Sequence, residues 1–170
     1  MQGNQLLDFI KDRRSVRRFS SEPVSDEMLN MVLEAGRWAP SGNNNQPWRF
    51  VVVHDPAVRA KLAPFTKFGA VLKNAPVLIC TFIHLPSMYN DTKDHQAVGA
   101  CLENMLLMAH GLGLGAVWLG EILKSAAEVR DALGQPEELA LMAVMALGHP
   151  DGGTSKPERK EMDELVVARL

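Results

Sequence analysis

Apolar side chains follow two periods along this chain, and the switches between them outline its elements. Residues 5–13 carry Leu6, Phe9 and Ile10 on one face of a predicted helix. A second helix follows Ser25, an N-cap residue, with Asp26 and Glu27 near its positive end and Met28, Leu29, Val32, Leu33 and Gly36 at helical spacing. Continuous apolar, β-branched runs at 50–53, 76–83, 116–119 and 139–147 read as buried strands. Asp55-Pro56 opens a short helix, with Asp as cap and Pro at its first position. Another helix at 125–133 ends at Gly134. The longest element, 94–112, places Ala97, Val98, Cys101, Leu102, Met105, Leu106, Ala109 and Leu112 at helical spacing. Leu107 and Met108 make it apolar around most of its circumference, as a spine of the core or of a subunit contact should be. The tail from His149 is rich in Pro, Gly and charge, then ends in Leu165-Val166-Val167, read as an edge strand that reaches a partner chain.

Helices and strands are mixed without strict alternation, which favours an α+β sandwich over a doubly wound fold. A chain of 170 residues suits one domain, residues 1–170, and needs no disulfide or metal staple. A net charge of −2 argues against coating nucleic acid or an anionic membrane. Cys80 and Cys101 lie in apolar runs and read as small buried hydrophobes. No apolar run approaches the ~20 residues of a membrane span, and the first residues lack a signal-peptide pattern, so a cytoplasmic protein is expected.

Two segments carry chemistry. Lys11-Asp12-Arg13-Arg14-Ser15-Val16-Arg17-Arg18 puts five cations in eight positions at a helix end. It reads either as a solvated end matched to the helix dipole, or as a phosphate cradle of forked donors and a hydroxyl. Ala39-Pro40-Ser41-Gly42-Asn43-Asn44-Asn45-Gln46-Pro47-Trp48 has the composition of a turn. Its side-chain amides, which donate and accept, also suit the edge of a heteroaromatic ring with carbonyls and ring nitrogens.

These segments, together with Gly99-Ala100, Glu103-Asn104-Met105-Leu106-Leu107-Met108-Ala109, Gly111-Leu112-Gly113-Leu114-Gly115, Trp118-Leu119-Gly120 and Leu147-Gly148-His149-Pro150, resemble the nitroreductase family in order and spacing. The resemblance covers nearly the whole chain. It implies a sandwich with a central, mostly antiparallel sheet flanked by helices, and a homodimer with FMN bound between subunits. Residue by residue, it implies Arg13, Arg14 and Ser15 at the phosphate and ribityl chain, and Arg17 near N1 and the C2 carbonyl. Pro40, Ser41, Gly42, Asn44 and Gln46 would come from the partner, Leu119 and Gly120 would offer backbone groups at the reactive edge, and Arg159 would close on the phosphate. It further implies a ping-pong cycle, in which NAD(P)H reduces FMN at N5 and a small nitroaromatic, quinone or other conjugated acceptor takes the electrons. The chemistry then resides in the flavin, and no catalytic side chain is expected. Reductive dehalogenation, flavin cleavage and a non-catalytic FMN-binding module are alternatives within the same fold.

Asn43 or Asn45 could replace Asn44, Lys156 or Lys160 could replace Arg159, and His149 stands where the family usually has an aromatic residue. The glycine run at 111–115 follows a helix rather than a strand, the wrong context for a dinucleotide fingerprint. The histidines lack zinc-ligand spacing, so no metal is expected. Glu103, Glu121, Glu137, Glu138, Asp163 and Glu164 read as solvated acids, and Met88 and Tyr89 as a surface loop or the lining of an acceptor pocket.

Overall fold

The structure, a computed structural model, describes residues 2–154 and 157–170. Four strands, β1 (Trp48–Val53), β2 (Val77–His84), β3 (Gly115–Leu119) and β4 (Leu139–Gly148), pair antiparallel throughout in the order β1-β2-β4-β3. Helices α2 (Asp26–Arg37) and α5 (Asp91–Gly111) cover one face and α3 (Pro56–Leu62), α4 (Gly69–Asn74) and α6 (Ala126–Ala132) the other, while α1 (Gly3–Asp12) and a single turn α7 (Met162–Leu165) bury no residue.

The central strand β2 sends Val77, Ile79 and Ile83 toward α2 and α5, and Leu78, Cys80 and Phe82 toward α3, α4 and α6. Both faces are therefore dry, and the strand reads as a continuous apolar run. A bulge in β4 opposite Thr81 and Phe82 inserts Met142. That extra residue reverses side-chain parity, so Leu141 and Val144 face the same layer although their numbers differ by three.

Helix α5 is the spine, burying Ala97, Val98, Cys101, Leu102, Met105, Leu106 and Ala109. It starts a turn earlier than its apolar period, because Asn90 caps it and the first turn is polar. Ser25 caps α2 and Asp55 caps α3, as their sequences predict. Helix α4 lacks a cap signal and a full apolar stripe, and periodicity did not reveal it.

The tail departs from expectation. Leu165 closes a helical turn rather than opening a strand, because Glu161 and Glu164 form a reciprocal capping box that favours helix. Leu165 and Val167 stay exposed, and among the described residues neither pairs with a strand.

Candidate functional site

The arginine segment is held by main-chain contacts. Ser15 bridges Ala116 in parallel, and the Val16 N–H donates to the Ala116 carbonyl at 2.9 Å. The chain thus runs alongside β3 and carries Arg17 toward the Trp118–Gly120 end. The approach is close enough that a Cβ on Gly115 would sit 2.6 Å from a Val16 methyl, so only glycine fits there. Downstream, Ser20 N–H donates to His149 O and Asp151 N–H to Arg18 O, both at 3.0 Å. These bonds fold the tail back over the segment. Arg13, Arg14, Ser15, Arg17, Pro157 and Arg159 then line one cleft of about 200 Å³.

The cations in this cleft are barely neutralised. Arg13 faces Glu103 at 3.8 Å, the single ion pair made by these four arginines among the described residues. Arg17 touches the Ser15 carbonyl only at 3.4 Å, and Arg159 donates to Glu158 O at 2.8 Å. Arg14 donates to the Lys11 and Arg13 carbonyls, so it also caps α1. The helix-end reading of the basic run therefore holds for that residue, which also lines the cleft. Lys160 pairs with Glu164 at 3.6 Å outside the cleft, and Lys156 lies outside the described residues.

The amide-rich loop is built differently. Asn43, Asn44 and Gln46 sit at φ of 53°, 55° and 46°, a region asparagine tolerates and glutamine rarely adopts. Ser41 Oγ accepts from Gln46 N–H at 3.0 Å, and Gln46 Nε2 donates to Asn44 O at 3.1 Å. Asn45 Nδ2 donates to Asp94 Oδ1 at 2.6 Å and to Ser87 O at 3.0 Å. The NH2 of Asn45 is committed to the fold and its amide oxygen is buried, whereas Asn44 is exposed and its side chain makes no hydrogen bond among the described residues.

Asp94 is the hub, and sequence reasoning missed it. It is fully buried, and its other oxygen accepts from Tyr89 N–H at 2.9 Å and Asn90 N–H at 2.8 Å. Burial pushes its carboxyl up, but the bonds from Asn90, Asn45 and Tyr89 outweigh this and hold it below its ordinary value. One ionised carboxylate thereby ties the amide loop, the 87–90 turn and the start of α5 together.

Glu121 does the same on a smaller scale beside Gly120. It accepts from Lys124 Nζ at 2.5 Å, Thr66 Oγ1 at 2.6 Å and Lys67 N–H at 3.1 Å. Lys124 first, then Thr66 and Lys67, bring its carboxyl down to about 2. Glu103 lies on a solvated face as expected while pairing with Arg13, whereas Glu121 is part-buried and fully partnered. Leu119 is buried in the core, so that residue can face a ligand only through its backbone, whereas Gly120 is exposed. Both cysteines are buried, which pushes each thiol up to about 12.

The expected site is split within one chain. The arginine cleft gathers Arg13, Arg14, Ser15, Arg17 and Arg159, while Pro40, Ser41 and Gly42 line a separate cleft with α5. Among the described residues no cluster of three or more His, Cys, Asp or Glu is placed to hold a metal ion, and no helix is long and apolar enough to cross a membrane.

An antiparallel sheet between two helical layers, with a cationic cleft beside one edge strand and an amide loop beside the other, defines an α+β sandwich fit to hold a phosphate-bearing ligand. Comparison with known proteins narrows the class. A profile of the nitroreductase family matches residues 10–70 and 66–149, and the chain belongs to that family. It thereby takes its place among NAD(P)H-dependent oxidoreductases. A Desulfovibrio desulfuricans protein described as a nitroreductase and solved with FMN superposes with a TM-score of 0.94 at 46% identity, covering 99% of each chain. The NADPH:FMN oxidoreductase of Vibrio harveyi, solved with NAD+, superposes at 0.87 and 31% identity over 96% of this chain and 76% of its own. An Archaeoglobus fulgidus protein named for NADH dehydrogenase and NAD(P)H nitroreductase activity is 38% identical over 153 residues, 86% of either chain.

Proposed function

We propose that this chain, a single domain over residues 1–170, is a homodimeric, cytoplasmic FMN-dependent NAD(P)H oxidoreductase that reduces small nitroaromatic, quinone or other conjugated acceptors. The observation that carries it is the arginine cleft, where four guanidinium groups gather and, among the described residues, only Arg13 faces a carboxylate, Glu103 at 3.8 Å. Cations kept together without counter-ions destabilise a fold unless an anion joins them, and guanidinium forks match phosphate oxygens. The donor set therefore fits the FMN phosphate, and FMN when bound supplies hydride transfer at its N5.

Arg13, Arg14, Ser15 and Arg159 hold the phosphate and the ribityl hydroxyls. Arg17 sets a fixed cation where the reduced cofactor carries negative charge, which favours reduction. The backbone at Leu119 and Gly120 orients the reactive edge without adding a side-chain acid or base. Pro40, Ser41, Gly42, Asn44 and Gln46 come from the second subunit, in keeping with their separation from the arginine cleft in one chain. Asn44 fits this role better than Asn45, whose amide NH2 is already engaged and whose amide oxygen is buried.

The dimer reading rests on α1, a helix with no buried residue although it carries Leu6, Leu7, Phe9 and Ile10. With Met31, Trp38, Leu107, Met108 and Leu112 it borders an apolar groove of about 800 Å³. A patch of this kind is an interface rather than a solvated face. The exposed tail then reaches across to the partner. Helix α5 contributes its last turns to this groove, while most of it packs inside the subunit.

The test is an anaerobic visible spectrum of the purified protein with NADH or NADPH, alongside light scattering of the eluting species. Flavin bands that bleach, then return when a nitroaromatic or quinone is added, are the expected result from a dimer. A colourless protein that does not rebind FMN overturns the proposal.

A further inference from the structure

The cleft between residues 40–42 and the first turns of α5 measures about 340 Å³. Lys93, Gln96, Ala97 and Ala100 form one stripe of α5 facing Pro40, Ser41 and Gly42, and Tyr89 closes the end. Ala97 and Ala100 give a floor without bulk. The Tyr89 ring rests against Gly42, where an added Cβ would meet its hydroxyl at 1.7 Å. Glycine at 42 is thus what admits the aromatic wall.

Lys93 stands 5.5 Å from the centroid of the Tyr89 ring and forms no ion pair among the described residues. The neighbouring acids are otherwise engaged: Asp91 faces His95 at 3.4 Å, and Asp94 is turned inward to Asn45, Tyr89 and Asn90. A lysine in the first turn of a helix also opposes the helix dipole, so helix stability does not account for it. The exposed contact with the Tyr89 ring is its one visible structural gain among the described residues, and a local rule broken for so little points to a functional position.

We propose that this cleft is the electron-acceptor subsite and that Lys93, with Gln96, selects acceptors bearing an anionic substituent, such as an aromatic carboxylate. The inference rests on the reading above that the 40–46 loop lies against the partner's flavin. Tyr89 supplies an aromatic face for the acceptor ring, Lys93 a charge-assisted donor, and Gln96 an amide that donates or accepts. The volume falls at the small end of the ~300–1,000 Å³ typical of small-ligand pockets, which suits a compact ring.

Isothermal titration calorimetry of the purified oxidised protein with benzoate and with its neutral analogue benzamide tests this directly, with no turnover required. The ratio of benzoate to benzamide affinity is expected to fall about five- to tenfold in Lys93→Met and to be retained in Lys93→Arg, the size an exposed charge-assisted contact supports. The ratio of kcat/KM for 4-nitrobenzoate over 4-nitrobenzamide should fall by the same factor, through KM. Equal changes for both ligands, or none, overturn the role of Lys93. The visible flavin spectrum of the same sample reads the parent proposal separately. Flavin-loaded protein without benzoate preference refutes Lys93 alone. Flavin-free protein that still prefers benzoate refutes the acceptor assignment together with the redox reading.

Discussion

The arginine cleft and the loops that frame it use charge in opposite ways. Among the described residues Arg17 and Arg159 reach no carboxylate, and Arg13 meets Glu103 only at 3.8 Å; backbone bridges to Ala116 and His149 hold the 13–20 segment in place. In the framing loops the acids are spent: Asp94 accepts three hydrogen bonds and Glu121 three more, each joining segments far apart in sequence. A cleft meant to receive an anion must leave its donors free, so the main chain fixes it. A loop meant to be rigid can commit its side chains, and an ionised carboxylate is the strongest multi-point acceptor available. Removing a cleft arginine should therefore cost ligand and spare the fold, whereas removing an anchor acid should do the reverse first.

Asp94→Ala breaks the comparison most severely. It takes the acceptor from one Asn45 N–H and from the Tyr89 and Asn90 N–H groups, all in part-buried bonds. At ~1–3 kcal/mol per stranded donor, partly relieved by relaxation, the expected loss of stability is about 3 kcal/mol. Urea unfolding of the variant should show a lower midpoint even without flavin. An unchanged midpoint would mean that Asp94 does not hold the loop.

Arg17→Ala sharpens it from the other side. The expected outcome is roughly tenfold weaker FMN binding, with slower flavin reduction by NAD(P)H, because a donor to a charged group contributes ~1.5–3 kcal/mol, a little lessened by solvent. The urea midpoint of the flavin-free protein and its dimer mass should stay at the parent values. Equal reduction rates in variant and parent would remove Arg17 from the flavin's vicinity.

The same contrast explains what the amino-acid pattern discloses. The strands and α5 were legible because burial on both faces writes continuous apolar runs, and α2 and α3 because Ser25, Asp55 and Pro56 punctuate their starts. The basic run at 11–18 was legible because unpaired charge is conspicuous in a chain of −2 overall. Asp94 was not, since a buried acid among polar neighbours resembles any first-turn acid until its donors, Asn45 and Tyr89, arrive from elsewhere in the chain. The tail misled for a related reason. Leu165-Val166-Val167 has strand composition, but the local Glu161–Glu164 box outweighs it when no strand edge is at hand. Resemblance to a family supplied what periodicity lacked, the expectation that the arginine run and the amide loop serve one site from two subunits.

Glu121 offers the mildest test, because it is part-exposed and its strongest partner, Lys124, is local. Its carboxyl lies near 2 in the folded chain against an ordinary value of 4.5, lowered chiefly by Lys124. A depressed value means that the folded state holds the ionised form more tightly, so the stabilisation is complete above about pH 4.5 and is lost as pH falls toward 2. Glu121→Gln lacks that ionisation. Its melting temperature should lie below the parent's at neutral pH, and the gap should narrow steadily as both are acidified from pH 4.5. Glu34, also near 2 through Arg37 and then Trp38, keeps its own acid dependence in both proteins and serves as an internal control. A gap that stays constant over that interval would show that Glu121 holds the turn after Gly120 by shape rather than by charge. The anchoring of that half of the site would then resemble the backbone-held arginine cleft, not the Asp94 hub.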